Sequence, residues 1–215
     1  MGLYQDSLAA FHTGATGQAE ELALALLSQA RDAGDVSDEV GGLCMLARVA
    51  LRRGDYDHVI ALAGEGRAVA RRAGERRLER MPIHLLAVGD RMRGEYSQAR
   101  VMYAESIALN TELGEERMVA VEQRNLAYVE LHDGHVDRAR ELFAIAASLV
   151  RAGRYDALEP YLLQDSAVVA FEDGDRDRAV KLVLAMQVAL ATAGQIPDPD
   201  DAAEQDDLQS RLREL

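Results

Sequence analysis

Leu46-Ala47-Arg48-Val49-Ala50-Leu51-Arg52-Arg53-Gly54-Asp55-Tyr56-Asp57-His58-Val59 returns forty residues later as Leu86-Ala87-Val88-Gly89-Asp90-Arg91-Met92-Arg93-Gly94-Glu95-Tyr96-Ser97-Gln98-Ala99. The glycine at the centre extends both ways without insertion, as Gly14, Gly54, Gly94, Gly134 and Gly174. Other columns keep the same period. Ala19, Val59, Ala99, Ala139 and Ala179 stand five places after it, and Ser7, Ala47, Ala87, Ala127 and Ala167 seven before. A second rail, Gly34, Gly74, Gly114 and Gly194, lies twenty places on; in the fourth repeat Gly153 comes one place early and Arg154 stands in register. Several columns sharing one gapless period mark a repeat protein.

Each repeat reads as two helices. Apolar residues at offsets -11, -8, -7, -4 and -3 from the first glycine, and at +5, +8, +9, +12 and +16, follow helical spacing. Glycine suits the left-handed residue that ends a helix, so both rails mark turns. Helices are therefore expected over about 3–13 and 15–33, 37–53 and 55–73, 78–93 and 95–113, 116–133 and 135–152, and 156–173 and 175–193. Pro82 and Pro160 belong in first turns. The stretch Gln195-Ile196-Pro197-Asp198-Pro199 breaks the pattern. A last helix over about 201–214, capped by Asp198, Asp200 or Asp201, is expected to turn Leu208 and Leu212 inward and cover the final pair. The expected fold is all-α: a right-handed α-solenoid of five antiparallel helix pairs in residues 1–194, then a Pro/Asp linker and capping helix in 195–215.

Composition agrees and excludes. The 215 residues hold 37 acidic and 24 basic side chains, a net charge of -13, which argues against binding a phosphate backbone. One cysteine excludes an intramolecular disulfide framework and a multi-thiolate metal site. No apolar run is long enough to span a membrane, and no signal peptide is visible. The charge is uneven: net -6 over residues 1–40, +4 over 41–80 and -7 over 161–215.

These residues resemble the tetratricopeptide repeats. Arg53-Gly54-Asp55-Tyr56 with Val59, and Arg93-Gly94-Glu95-Tyr96 with Ala99, match the family's Gly-Asp-Tyr turn and following small residue. Leu46-Ala47, Leu86-Ala87 and Leu126-Ala127 match its first-helix pair, and Tyr103 and Phe143 its later aromatic. The forty-residue period is similar to the long-helix subtype found in the C-terminal domains of large bacterial ATP-binding transcription regulators, the best match being Tyr103 to Leu131. Repeats one and five depart from the pattern at Thr16 and Arg176. The resemblance implies a non-catalytic, cytoplasmic scaffold without cofactor, whose first helices line a concave groove for a protein or peptide. A small-molecule-sensing domain of a transcription regulator and a homodimerising module are the alternatives.

Carried over column by column, the groove positions give Arg48, Arg52, His84, Arg91, Arg124, Asn125, Tyr128 and His132. Arginine forks suit carboxylates, so the expected ligand is an acidic or C-terminal peptide. The chain's own acidic tail, Asp198 to Asp207, is a rival occupant of the same groove.

Other signals read as structural. His132-Asp133-Gly134-His135 straddles a turn and has no further ligand, so it is expected to be a surface turn, not a zinc site. Gly64-Glu65-Gly66 falls inside a second helix, where small residues favour close packing. Asp90 and Glu130 replace alanine at a half-buried register and call for partners among Arg91, Arg93 and Arg124. Cys44 is expected to be a half-buried free thiol. No serine has a base arranged for catalysis.

Overall fold

A computed structural model of the protein describes residues 2–214. These residues form eleven α-helices, two 3-10 turns and no strand, and the chain is 85% helical. The expected all-α architecture of helix pairs closed by a C-terminal helix is the one observed. The pairs are α1 (Leu3–His12) with α2 (Thr16–Ala33), α3 (Val36–Arg52) with α4 (Tyr56–Ala73), and α5 (Arg80–Met92) with α6 (Tyr96–Glu112). Next come α7 (Glu116–His132) with α8 (Val136–Gly153), and α9 (Glu159–Glu172) with α10 (Arg176–Ala193); α11 (Pro199–Arg213) is last. Two compact units divide the chain, Met1–Leu109 and Asn110–Leu215.

The turns explain why the helices stop and start where they do. Every glycine of both rails has positive φ, between 62° and 83°. After three of them an aspartate caps the next helix: Asp35 Oδ1 accepts from Asp38 N, Asp55 from His58 N and Asp175 from Arg178 N, at 3.0–3.2 Å. Gly-Asp thus ends one helix and begins another within two residues. The third and fifth pairs open differently from expectation. Short 3-10 turns at Arg76–Glu79 and Asp156–Leu158 precede α5 and α9, and Pro82 and Pro160 follow in the first helical turns, where a missing N–H costs nothing.

The fourth repeat shows what the broken rail costs. Arg154 takes the left-handed role at φ 52°, the one non-glycine with positive φ among the described residues. Gly153 leaves room for Tyr155: a Cβ there would stand 2.3 Å from the far end of that half-buried ring, which would have to shift. Arg154→Gly should therefore raise stability by about 0.5–1 kcal/mol, because left-handed strain exceeds the entropy glycine adds to the unfolded chain. Gly153→Ala should lower it. Denaturant titration of both variants is the check, and a loss of stability in Arg154→Gly would refute the assignment.

In the first unit the fully buried residues include Phe11, Leu43, Ile83 and Val88 from the first helices and Ala19, Ala23, Val59 and Ala63 from the second helices. Of the Gly64-Glu65-Gly66 stretch, Gly66 in α4 sits against Leu43 and Pro82, while a Cβ at Gly64 would meet nothing. Arg67, Arg71 and Arg76 converge on the buried Glu79, and Arg67 also pairs with Glu105. Cys44 is more deeply buried than expected, and burial pushes its thiol up to about 12, which leaves it protonated and unreactive at neutral pH. In the second unit one core joins Ala127, Tyr128, Phe143, Ala167, Val168, Met186 and Leu190 to Leu208 and Leu212 of α11. The two leucines turn inward as their spacing requires.

Candidate binding wall

The first helix of each pair carries the candidate groove residues. In the first unit Phe11 of α1 is fully buried beneath two arginines of α3. The Arg52 guanidinium lies 3.8 Å from the Phe11 ring centroid and donates from Nη1 to the Phe11 carbonyl at 2.6 Å. The Arg48 guanidinium stands 5.8 Å from the same ring. Arg48 and Arg52 are one helical turn apart, so both reach across to the neighbouring repeat. On α5, His84 is half-buried and Arg91 is buried.

In the second unit Arg124, Tyr128 and His132 lie at i, i+4 and i+8 on α7 and share one face. Arg124 donates from Nε to Asp165 Oδ1 of α9 at 2.8 Å, and Tyr128 Oη donates to the same oxygen at 3.1 Å. Arg124 also pairs with Asp201 of α11, and its guanidinium lies 5.0 Å from the Tyr128 ring and 5.2 Å from the Tyr161 ring. His132 Nε2 is 2.8 Å from Glu204 Oε2 of α11. Asn125 is buried beside them.

This cluster is electrically tense. Burial pushes the Asp165 carboxyl up to about 7, although Arg124 and Tyr128 pull it down. Its second oxygen is buried without a hydrogen-bond partner. The Tyr128 hydroxyl is pushed well above the ordinary tyrosine range by burial and by Asp165. Arg124 keeps its proton because Asp165 and Asp201 outweigh its own desolvation.

Three residues of α11 complete the contact. Gln205 Nε2 donates to Gln164 Oε1 at 3.1 Å. Arg211 pairs with Glu172 at 2.5 Å and lies 4.4 Å over the Phe171 ring, while Arg176 donates to the Leu212 carbonyl. The acidic tail therefore rests on Arg124 and His132, with Leu208 and Leu212 in the core beneath. Its helix begins at Pro199, and Asp198 takes the capping position without a side-chain cap bond.

Of the boundary acids, Glu130 meets a histidine, and Asp90 lies near Arg93, one of the arginines expected. Glu130 Oε2 is 3.0 Å from His135 Nδ1. Asp90 is half-buried, and burial raises its carboxyl against the nearby Arg93. His132 and His135 thus meet different carboxylates, on α11 and on α7. Asp165 was not among the expected groove residues, while Asp201 and Glu204 lie in the acidic tail expected as a rival occupant. Asp165 falls 41 places after Arg124, one repeat plus one residue, which is where a neighbouring first helix can answer a buried charge.

Two open clefts of about 330 Å³ each flank α8 and α9, one lined by Arg151, Arg154, Tyr155 and Glu159, the other by Arg140, Phe143, Arg151 and Arg178. Among the described residues no helix is long and apolar enough to cross a membrane.

No protein-family model matches the sequence, and no curated protein does. Solved structures do match. The chain is similar to the apo form of RapI, with 11% identity and a TM-score of 0.68 over 89% of this chain and 70% of that one. It is similar to a Rap protein complexed with Competence and Sporulation Factor, with 14% identity and a TM-score of 0.72, and there it spans 98% of its own length but 56% of the Rap chain. A Podosopora anserina protein of nearly identical TPR-like repeats matches with 17% identity and a TM-score of 0.62, over 89% and 94% of the two chains. At these identities the likeness shows a shared fold: the chain is built as a tetratricopeptide-like helical repeat.

Proposed function

We propose that the protein is a non-catalytic cytoplasmic scaffold that captures an acidic protein segment on its first-helix wall. One observation carries the reading: in the second unit that wall already holds a segment of polypeptide, α11, through arginine, histidine and glutamine side chains of α7 and α9. A surface that seats a helix by side-chain contacts is suited to peptide recognition. The Rap neighbour bound to Competence and Sporulation Factor supports the choice of a peptide or protein as ligand. In the first unit the guanidinium groups of Arg48 and Arg52, with the His84 imidazole, stand at the corresponding register.

The test is affinity capture from lysate with the full chain as bait. Arg48→Glu with His84→Glu should cut recovery of the acidic partner tenfold or more, since a reversed charge repels where the original attracted. Equal recovery by the variant and the wild type would refute a role for this wall.

A further inference from the structure

We infer that the α7–α9 wall is a docking site for an acidic amphipathic helix of a partner protein, and that α11 is its displaceable stand-in. The inference rests on the peptide-scaffold reading and adds to it the conformation, the register and the place of the bound segment.

The register is written in α11 itself. Asp201, Glu204, Leu208 and Leu212 lie at i, i+3, i+7 and i+11, one face of a helix. The carboxylates of its first half meet Arg124 and His132, the leucines enter the core, and Arg211 near its end meets Glu172. The wall is thus cationic at one end, apolar in the middle and anionic at the other. A partner helix that fits it carries carboxylates at i and i+3, leucine-like residues at i+7 and i+11, and an arginine at i+10.

Three features make α11 detachable. Residues 195–198 are non-helical and follow the left-handed Gly194, so α11 can leave without unwinding α10. Pro197 and Pro199 withhold two backbone donors from any continuous helix through the joint. The helix also repels itself: Asp200, Asp201, Glu204, Asp206 and Asp207 lie within eight residues, and two of its four buried residues, Asp200 and Glu204, are carboxylates. Charge pairing to the wall offsets that repulsion, which is the arrangement a competing anionic helix can exploit.

The probe is a fluorescein-labelled synthetic peptide of residues 198–213. The receptors are the full wild-type chain and the full chain bearing Asp201→Lys and Glu204→Lys, which loosens α11 while leaving the wall intact. The expected result is binding to the loosened chain at least about tenfold tighter than to the wild type, because intramolecular docking lowers the fraction of open wall. A probe carrying the same two lysines should not bind the loosened chain, and adding His132→Glu to that receptor should shift its preference toward a probe with lysine in place of Glu204. Faster amide exchange in α11 of the loosened chain without probe binding would overturn the inference, as would unchanged exchange or equal binding of the lysine probe. A dimer in light scattering that needs α11 would assign the wall to a second copy instead. If these outcomes occur while the wild type still captures an acidic partner from lysate, the scaffold reading survives and only the helix-docking site falls; if that capture fails as well, both fall.

Discussion

Arg124→Met should destabilise the protein at both pH 5 and pH 8, and by about 1 kcal/mol more at pH 8. The substitution keeps most of the side-chain volume and removes the charge that answers the buried Asp165. Breaking one side of a buried ion pair leaves the other charge uncompensated, and that is the costly case. The pH dependence follows from Asp165. Burial holds its carboxyl near 7 in the folded protein against about 4 when unfolded, so the folded state binds more protons between those values. Stability from this group is full below pH 4 and is lost as pH rises through 7. Without Arg124 the carboxyl rises further and the loss deepens at alkaline pH, while at pH 5 Asp165 is neutral and misses its partner less. Denaturant titrations of both proteins at the two pH values measure the effect. An equal loss at pH 5 and pH 8 would show that Asp165 is not its source. Arg124→Met with Asp165→Asn should recover most of the alkaline loss.

The helix boundaries were legible because their causes are local. A glycine needing positive φ and an aspartate capping three residues on act within one turn of chain, so the period-40 columns located α3, α4, α7 and α10 within about a residue. Where the signal was of another kind it failed. The 3-10 turns before α5 and α9 depend on how the second helix of one pair hands over to the next, and no glycine or cap announces them. The columns marked Arg124, Tyr128 and His132 as wall residues, and their shared face on α7 followed from spacing alone. The acidic tail was legible as an occupant of this wall, but the individual pairs were not: Asp201 lies 77 residues from Arg124, and Glu204 lies 72 from His132, and such pairs are selected by where a whole helix comes to rest. Glu130, for which arginine partners were expected, also meets His135, at the cap of the next helix in sequence.

Leu208→Asp and deletion of residues 198–215 should cost the same, about 2–4 kcal/mol each. Burying Leu208 and Leu212 gains about 1.5–3 kcal/mol apiece, and the ion pairs with Arg124 and His132 add to that. Conformational entropy lost on docking opposes these gains, so the net free energy of docking is smaller than their sum. A carboxylate at position 208 cannot stay in the core beside Leu212 and Met186, so α11 leaves instead. Once it has left, no further penalty accrues, and the loss cannot exceed the net free energy of docking. Deletion reaches the same end state by another route. Amide exchange is the sharper readout: α7 and α9 should exchange at least about tenfold faster in both variants, with α1 to α4 unchanged. If Leu208→Asp costs several kcal/mol more than deletion, the helix is held in place when its core contact fails, and α11 is a fixed wall of the fold and not a removable occupant. Equality of the two losses is what a docked, separable helix requires, because only then does the mutated side chain escape to water with the segment that carries it.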